Sequence, residues 1–447
     1  MDIRKIYALS TVYGKSGVAV IRVSGNQALE AVKLMTDINV DTIKPRYAYF
    51  TNLKSYPEKN LLDKCLLLYF KGPNSFNGED IVEFQIHGSK AIISSVLDSL
   101  SNIDGFRLAE AGEFSKRAFY NGKMDLTQAE GLADLIDAET SEQQKYAIRQ
   151  MEGELKDLYG SWRNDLVKIL AHIEAFIDFP DEDIPSTVIS DMKNTVFKVE
   201  NSIQQHLADD SIGERLREGF RVVIVGPPNA GKSSLLNAIV KRDAVIVSDI
   251  AGTTRDAIDI HLDLRGYPVM FTDTAGLREA EEEIEKKGIE IAYNKIKNAD
   301  LVVCLFDASK DSVQIFDNIK KSFKDNMLFV ANKCDKLNFE QCSLLQNDGC
   351  IILSAKEKKN IDVLLDAIYE QIKKRFTSNS NLLITRKRYR ESLQDVIESL
   401  QHFGFDKDIE LTAEDIRLAT RALGKITGQV EIDEILDRIF GDFCIGK

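Results

Sequence analysis

Cysteine is scarce in this chain: there are six, at Cys65, Cys304, Cys334, Cys342, Cys350 and Cys444, and none forms a CxxC pair. Neither a disulfide framework nor a zinc knuckle is expected from that pattern. The five histidines are scattered and make no HExxH, which argues against a His-built metal site. Long apolar runs are missing as well. A clean run such as Cys65–Phe70 is far short of the roughly 20 residues that span a bilayer. Asp2, Arg4, Lys5, Lys15 and Arg22 interrupt anything resembling a secretory segment. No membrane partner and a cytoplasmic location are the expectation. Excess positive charge is also absent: 58 Lys and Arg face 71 Asp and Glu, a net charge of −13. Such a balance argues against non-specific coating of nucleic acid or anionic lipid, and leaves room for one local basic patch or a docked RNA.

What is present suits a multidomain globular protein. The chain has 447 residues, 44% of them hydrophobic and 29% charged, which implies two or three domains. Residues 1–120 mix strand-like runs (Val18–Val23, Cys65–Phe70, Ile81–Ile86) with a helical stretch, Ala91–Leu100, and predict an α+β domain. From about 125 the period becomes helical. Leu155, Tyr159, Trp162, Leu166, Ile169, Ile173 and Phe176 form one apolar stripe, broken by Pro180 and Pro185. A second helical run covers about 190–217. Residues 218–376 alternate strands and helices, with strands at Arg221–Val225, Val269–Asp273, Leu301–Phe306, Met327–Ala331 and Cys350–Leu353, and predict a mostly parallel sheet. After the polar segment Thr377–Asn381, helical periodicity returns. Thr412 with Asp415 resembles a helix N-terminal cap. The simplest architecture is an α/β domain, 218–376, inserted into a discontinuous helical domain, 121–217 and 377–447; the alternative is two unrelated helical domains.

Gly226 to Ser233 fits GxxxxGK(S/T) between an apolar strand and the helix opening at Ser234. There the glycines let backbone N–H groups, Asn229, Ala230 and Gly231 among them, surround phosphates at a helix N-terminus. Lys232 is expected to reach the β- and γ-phosphates, and Ser233 to ligate Mg²⁺. Asn332-Lys333-Cys334-Asp335 selects the base. The two acceptor oxygens of Asp335 match the adjacent N–H donors of guanine, whereas adenine would leave them unpaired, at a cost of about 1–3 kcal/mol. Ser354-Ala355-Lys356 follows the next strand and can offer an N–H to guanine O6. Asp273-Thr274-Ala275-Gly276 ends another strand: Asp273 suits an outer Mg²⁺ role, and the Gly276 N–H suits the γ-phosphate. Between them, Thr254 in Gly252-Thr253-Thr254-Arg255-Asp256 is the candidate for closing onto Mg²⁺ when GTP is bound. These elements, in this order, resemble the translation-factor-like GTPases.

Hydrolysis needs an oriented water and compensation of developing charge. Leu277 stands where a Ras-type glutamine would be. The acidic run Glu279, Glu281, Glu282, Glu283 and Glu285 offers several residues that could orient the water. A side-chain oxygen at Asn229 could hold a cation beside the phosphates.

The whole chain resembles the MnmE (TrmE) tRNA-modification GTPases, a TrmE-Era-EngA-YihA-Septin-like GTPase family. The resemblance runs through Gly17–Gly25, Phe76–Glu83, Gly112–Phe119, Asp134–Ala138, Ile177–Pro180, the GTPase motifs and Phe443–Lys447. It implies a tetrahydrofolate-binding and dimerisation domain at 1–120, the discontinuous helical domain and the inserted Ras-like P-loop G domain. It implies a homodimer that works with an FAD-containing partner, MnmG (GidA), on the wobble uridine of certain tRNAs, with 5-formyl- or 5,10-methylene-tetrahydrofolate as one-carbon donor. K⁺ then maps onto Asn229, Ser248, Ile250 and Thr253, within a nucleotide-contacting loop that also holds Asp249, Ala251 and Gly252. Mg²⁺ maps onto Ser233 and Thr254, the water-orienting glutamate onto Glu285, and folate contacts onto Arg22, Glu83, Lys123 and Lys447. The family also suggests a reactive role for Cys444. Without the resemblance, the four folate positions read as ordinary surface charges. An RNA-docking assembly GTPase, the competing reading, would need an appended RNA module or a basic tail, and neither is seen.

Overall fold

A computed structural model describes residues 4–179, 185–208, 212–241, 259–273, 297–311, 326–377, 384–406 and 408–430, and in the tail 436, 439–441, 443 and 446. The chain divides into two compact units, Met1–Ala133 with Met151–Gly160 and Gly424–Lys447, and Asp134–Gln150 with Ser161–Leu423.

The first unit is built on six strands: β1 (Lys5–Leu9), β2 (Ser16–Ser24), β3 (Tyr49–Lys54), β4 (Leu61–Phe70), β5 (Ile81–Gly88) and β6 (Phe106–Leu108). Their order is β3-β4-β5-β2-β1-β6, antiparallel except for the β1–β6 pair. Alternation along β2 and β5 sends Ile21, Val23, Val82 and Phe84 into the core. There they meet α1 (Leu29–Met35) and α2 (Lys90–Ser101), which contribute Val32, Met35, Val96 and Leu100. Ser89 caps α2 by accepting the Ile92 N–H. Next come α3 (Glu113–Tyr120) and α4 (Leu126–Asp137). Gly112, at φ +64, precedes α3 where an added Cβ would lie 2.5 Å from the Phe440 carbonyl, so only glycine lets the tail pack there. Leu126, Ala129, Leu436, Phe440 and Phe443 share that small core.

The second unit contains α5 (Ser141–Glu152), most of α6 (Glu154–Asp178), α7 (Ser186–Leu207) and α8 (Ile212–Glu218). Its sheet comprises β7 (Phe220–Val225), β8 (Asp259–Leu264), β9 (Tyr267–Asp273), β10 (Leu301–Asp307), β11 (Met327–Asn332) and β12 (Ile351–Ile352). The order β12-β11-β10-β7-β9-β8 is parallel through β9. Every residue of β10 is buried, as a central strand covered on both faces requires. Among the described residues, helices α9 (Lys232–Val240), α10 (Phe339–Asn347) and α11 (Ile361–Thr377) belong with this sheet, making an α/β domain. Then α12 (Lys387–Gln401) packs on α7, and most of α13 (Ile409–Thr427) follows in the same unit. Helices thus precede and follow the α/β domain in sequence. Asp134, from the end of α4, joins both ends of that insertion, accepting from Arg217 at 3.2 Å and from Arg386 at 2.7 Å.

Three local expectations change. The sheet gains an antiparallel strand, β8, whose Arg265-Gly266 turn has positive φ at both residues, as a two-residue hairpin needs. The helical run predicted over 190–217 is two helices, α7 and α8. Thr412 lies inside the first turn of α13, and its hydroxyl donates back to the carbonyls of Gly404 and Asp408 instead of capping the N-terminus. Among the described residues no helix is long and apolar enough to cross a membrane.

Candidate functional site

Strand β7 runs into the phosphate loop. Gly226 passes so close to β10 that an added Cβ would sit 1.9 Å from the Leu305 carbonyl. Gly231, at φ +100, opens α9 where a Cβ would meet the Asn332 amide at 2.3 Å. Side chains at either place would push the loop out of shape. Ala230 is buried, whereas Asn229, Ser233 and Ser234 are exposed around the helix N-terminus. The Lys232 ammonium lies across the loop and donates to the carbonyls of Gly226 at 2.9 Å and Pro227 at 3.2 Å. A phosphate placed among the loop N–H groups would therefore meet this cation and the helix dipole together.

Asn332, at the end of β11, ties the nucleotide motifs into one site. Its amide donates to the Ala230 carbonyl at 2.7 Å, and its Oδ1 accepts from the N–H groups of Lys333 at 2.8 Å and Ala355 at 3.0 Å. Asp335 is exposed, and its Oδ1 accepts the Ser354 hydroxyl at 2.5 Å. That hydroxyl is the main reason its carboxyl is held below the usual range, so it is an acceptor at neutral pH. Ser354 and Ala355 are buried behind it, and Lys356 is exposed. Asp273 ends β9, with its backbone opposite Ile224 of β7. Ser248, Asp249, Ile250, Ala251, Gly252, Thr253, Thr254, Thr274, Ala275, Gly276 and Glu285 lie outside the described residues. One acid next to the base loop escaped the sequence reading: Asp307, whose Oδ2 accepts from Lys333 Nζ at 2.6 Å. A single acid after an apolar run has no spacing signature.

A second site occupies the first unit. Arg22 and Glu83 face each other across the β2–β5 ladder, and the Nε and Nη2 of Arg22 donate to Glu83 Oε1 at 3.0 and 2.9 Å. They are not loose surface charges. They line an open cavity of about 720 Å³ with Arg46, Asn74, Phe76 and Ile81. The Arg22 guanidinium also lies 5.8 Å from the Phe76 ring and 5.6 Å from that of Phe114. A shielded carboxylate beside a cation and an aromatic wall fits a flat heterocycle carrying N–H donors. Sequence reasoning gave Arg46 no part in this cavity. Lys123 is exposed on the turn after α3, beside Gly78, and is not among the lining residues. Lys447 and Cys444 fall outside the described residues, but the neighbouring Gly446 carbonyl accepts the Ser10 hydroxyl at 3.1 Å.

An ionic ladder stands alongside. Arg107 forks onto both oxygens of Glu113 at 2.7 and 2.6 Å, Glu113 accepts from Arg117 at 3.0 Å, and Arg117 reaches Glu79 at 3.1 Å. Burial opposes charge on Glu113 most strongly. The Arg107 guanidinium, the Glu110 N–H and Arg117 outweigh it and lower its pKa. Among the described residues no group of three or more His, Cys, Asp or Glu is arranged to hold a metal ion.

Comparison with known proteins covers the whole chain. The profile of the MnmE helical domain matches residues 126–444, and that of the GTP-binding protein TrmE N-terminus matches residues 5–123. The tRNA modification GTPase MnmE of Rickettsia bellii (strain RML369-C) is 46% identical over 444 residues, spanning 99% of both chains. Its counterparts in Rickettsia rickettsii (strain Sheila Smith) and Rickettsia prowazekii (strain Madrid E) are 46% and 45% identical, again over 99% of both chains. With a described nucleotide-type site and similarity running from end to end, this chain belongs to the MnmE family of tRNA modification GTPases.

Proposed function

We propose that this chain is a potassium-dependent GTP hydrolase which, with an FAD-containing partner of the MnmG (GidA) type, adds an aminomethyl or carboxymethylaminomethyl group to C5 of the wobble uridine, position 34, of certain tRNAs. The observation that carries the GTPase reading is the position of Asn332. One buried amide joins the phosphate loop, the Asp335 loop and the Ser354 loop, so a single guanine nucleotide can engage all three. That the relatives are tRNA modification GTPases supports the tRNA reading.

In this reading the chain has three domains: 1–120 for folate binding and dimerisation, 121–217 with 377–447 helical, and 218–376 as the G domain. Lys232 and the loop N–H groups bind the β- and γ-phosphates. The Ser233 hydroxyl at the exposed first turn of α9 is a hard oxygen donor of the kind Mg²⁺ takes, and Thr254 joins it. The neutral amide oxygen of the exposed Asn229 suits an alkali cation, shared with Ser248, Ile250 and Thr253. Glu285 orients the attacking water. Bound there, the two cations would supply charge compensation for the phosphoryl oxygens, and the folate would supply the one-carbon unit. Glu83 accepts from N–H donors of the pterin and Arg22 orients that carboxylate, with Lys123 and Lys447 meeting folate carboxylates. GTP turnover drives pairing of the two G domains in a cytoplasmic homodimer.

The test is turnover of GTP by the purified chain in KCl against NaCl, together with equilibrium binding of 5-formyl-tetrahydrofolate. Faster turnover in KCl and saturable folate binding are expected. Equal rates in both salts would remove the potassium assignment, and no folate binding would remove the cavity's role.

A further inference from the structure

The nucleotide site uses Asn332, Lys333 and Asp335, but not the acid beneath Lys333. Asp307 closes β10 and lies opposite Asn332 in the parallel β10–β11 register. It is only 5% exposed. Its Oδ1 accepts from the N–H and hydroxyl of Ser309 at 3.1 and 2.7 Å, and its Oδ2 from Lys333 Nζ at 2.6 Å. The same ammonium donates to the Asn229 carbonyl at 2.8 Å. The Lys333 side chain therefore runs from the base loop to the phosphate loop, its head fixed by one carboxylate and one carbonyl. Lys333 and Asn229 both hold left-handed backbone, φ +66 and φ +63, which non-glycine residues adopt at a cost. A short charge-assisted bond offsets that cost.

We propose that Asp307 is a positioning residue for guanine-nucleotide binding, anchoring the Lys333 ammonium against the Asn229 carbonyl so that the base loop and the phosphate loop keep the separation one nucleotide spans. The proposal rests on the reading of this site as a GTP site. Asp307 acts through Lys333. Burial works most strongly against its charge, but the Lys333 ammonium and the two Ser309 donors outweigh burial and hold its pKa down at about 2. It is an anion throughout the physiological range. An amide in its place keeps the shape and the Ser309 contacts but loses the charge that holds Lys333.

The experiment is calorimetric titration of the full chain with GDP and with GTP, for the wild type, Asp307→Asn, Lys333→Ala and the double variant. Asp307→Asn is expected to weaken both nucleotides about tenfold, the order of one charge-assisted hydrogen bond. Its kcat at saturating GTP stays unchanged while KM rises. In the Lys333→Ala background Asp307→Asn adds no further loss, because its partner is already gone. Additive losses, or an affinity within about twofold of wild type, overturn the positioning role. If Asp307→Asn does not fold, Ser309→Ala removes one of the two donors holding Oδ1, and a loss of about two- to threefold is expected. Unchanged affinity there also overturns the role. A wild-type chain that binds no GDP overturns the site reading itself, and this proposal with it.

Discussion

The nucleotide site and the Arg22–Glu83 cavity are built on opposite plans. In the G domain each functional group sits in a short window of chain, Gly226–Ser233 or Asn332–Asp335, at the end of a parallel strand. The backbone conformation of the window itself delivers the chemistry. In the first unit Arg22 and Glu83 are 61 residues apart in sequence and become partners only through the antiparallel β2–β5 register. One site is a property of loops, the other of a sheet. Local windows survive as recognisable spacings, whereas a cross-strand pair leaves no trace until the register is known.

That contrast can be attacked at both ends. The largest effect is expected at the buried ladder of the first unit. Arg117→Met leaves Glu79 and Glu113 without a shared cation and should destabilise that unit by about 3 kcal/mol. A lowered unfolding midpoint with unchanged GDP affinity would show that the two sites are held independently; weakened GDP binding would tie them together. Next is Asp335→Asn, which should reduce the preference for GTP over xanthosine triphosphate about a hundredfold, read by competition binding. An unchanged preference would remove Asp335 from base selection. Smaller is Arg22→Ala, which frees the Glu83 carboxylate to swing and should weaken 5-formyl-tetrahydrofolate about tenfold while leaving GTP turnover alone. Normal folate affinity would move the ligand out of this cavity.

The smallest effect is on acid stability. The folded pKa of Asp307 is about 2, below its unfolded value near 4, so its contribution to stability is fully present above about pH 4 and fades as pH falls toward 2. Glu113, also lowered, acts in the same direction. Acid unfolding of Asp307→Asn should therefore be less steep over that window than that of the wild type. Parallel curves would mean that the Asp307–Lys333 pair contributes nothing to folding.

The same contrast explains what could be read early. The apolar runs of β7, β9, β10 and β11 mark a buried parallel sheet, and the long stripe of α6 marks a helix, because their periods are local. Strand β8 was missed: Ile260, Leu262 and Leu264 alternate with polar residues, the pattern of an antiparallel hairpin at a sheet edge. The Thr412 cap misled because α13 begins at Ile409, leaving the threonine hydroxyl to bond back to Gly404. Asp307 was invisible because its meaning depends on Lys333 reaching it from the next strand. Arg22 and Glu83 came from resemblance alone, and the sheet register supplies the physical reason they belong together.

The most direct measurement is nucleoside analysis of bulk tRNA from cells lacking this chain, complemented with the wild type or with Asp335→Asn. The expected result is an unmodified C5 at the wobble uridine, restored by the wild type and not by the variant. A wobble uridine that stays fully modified without the chain would contradict the account.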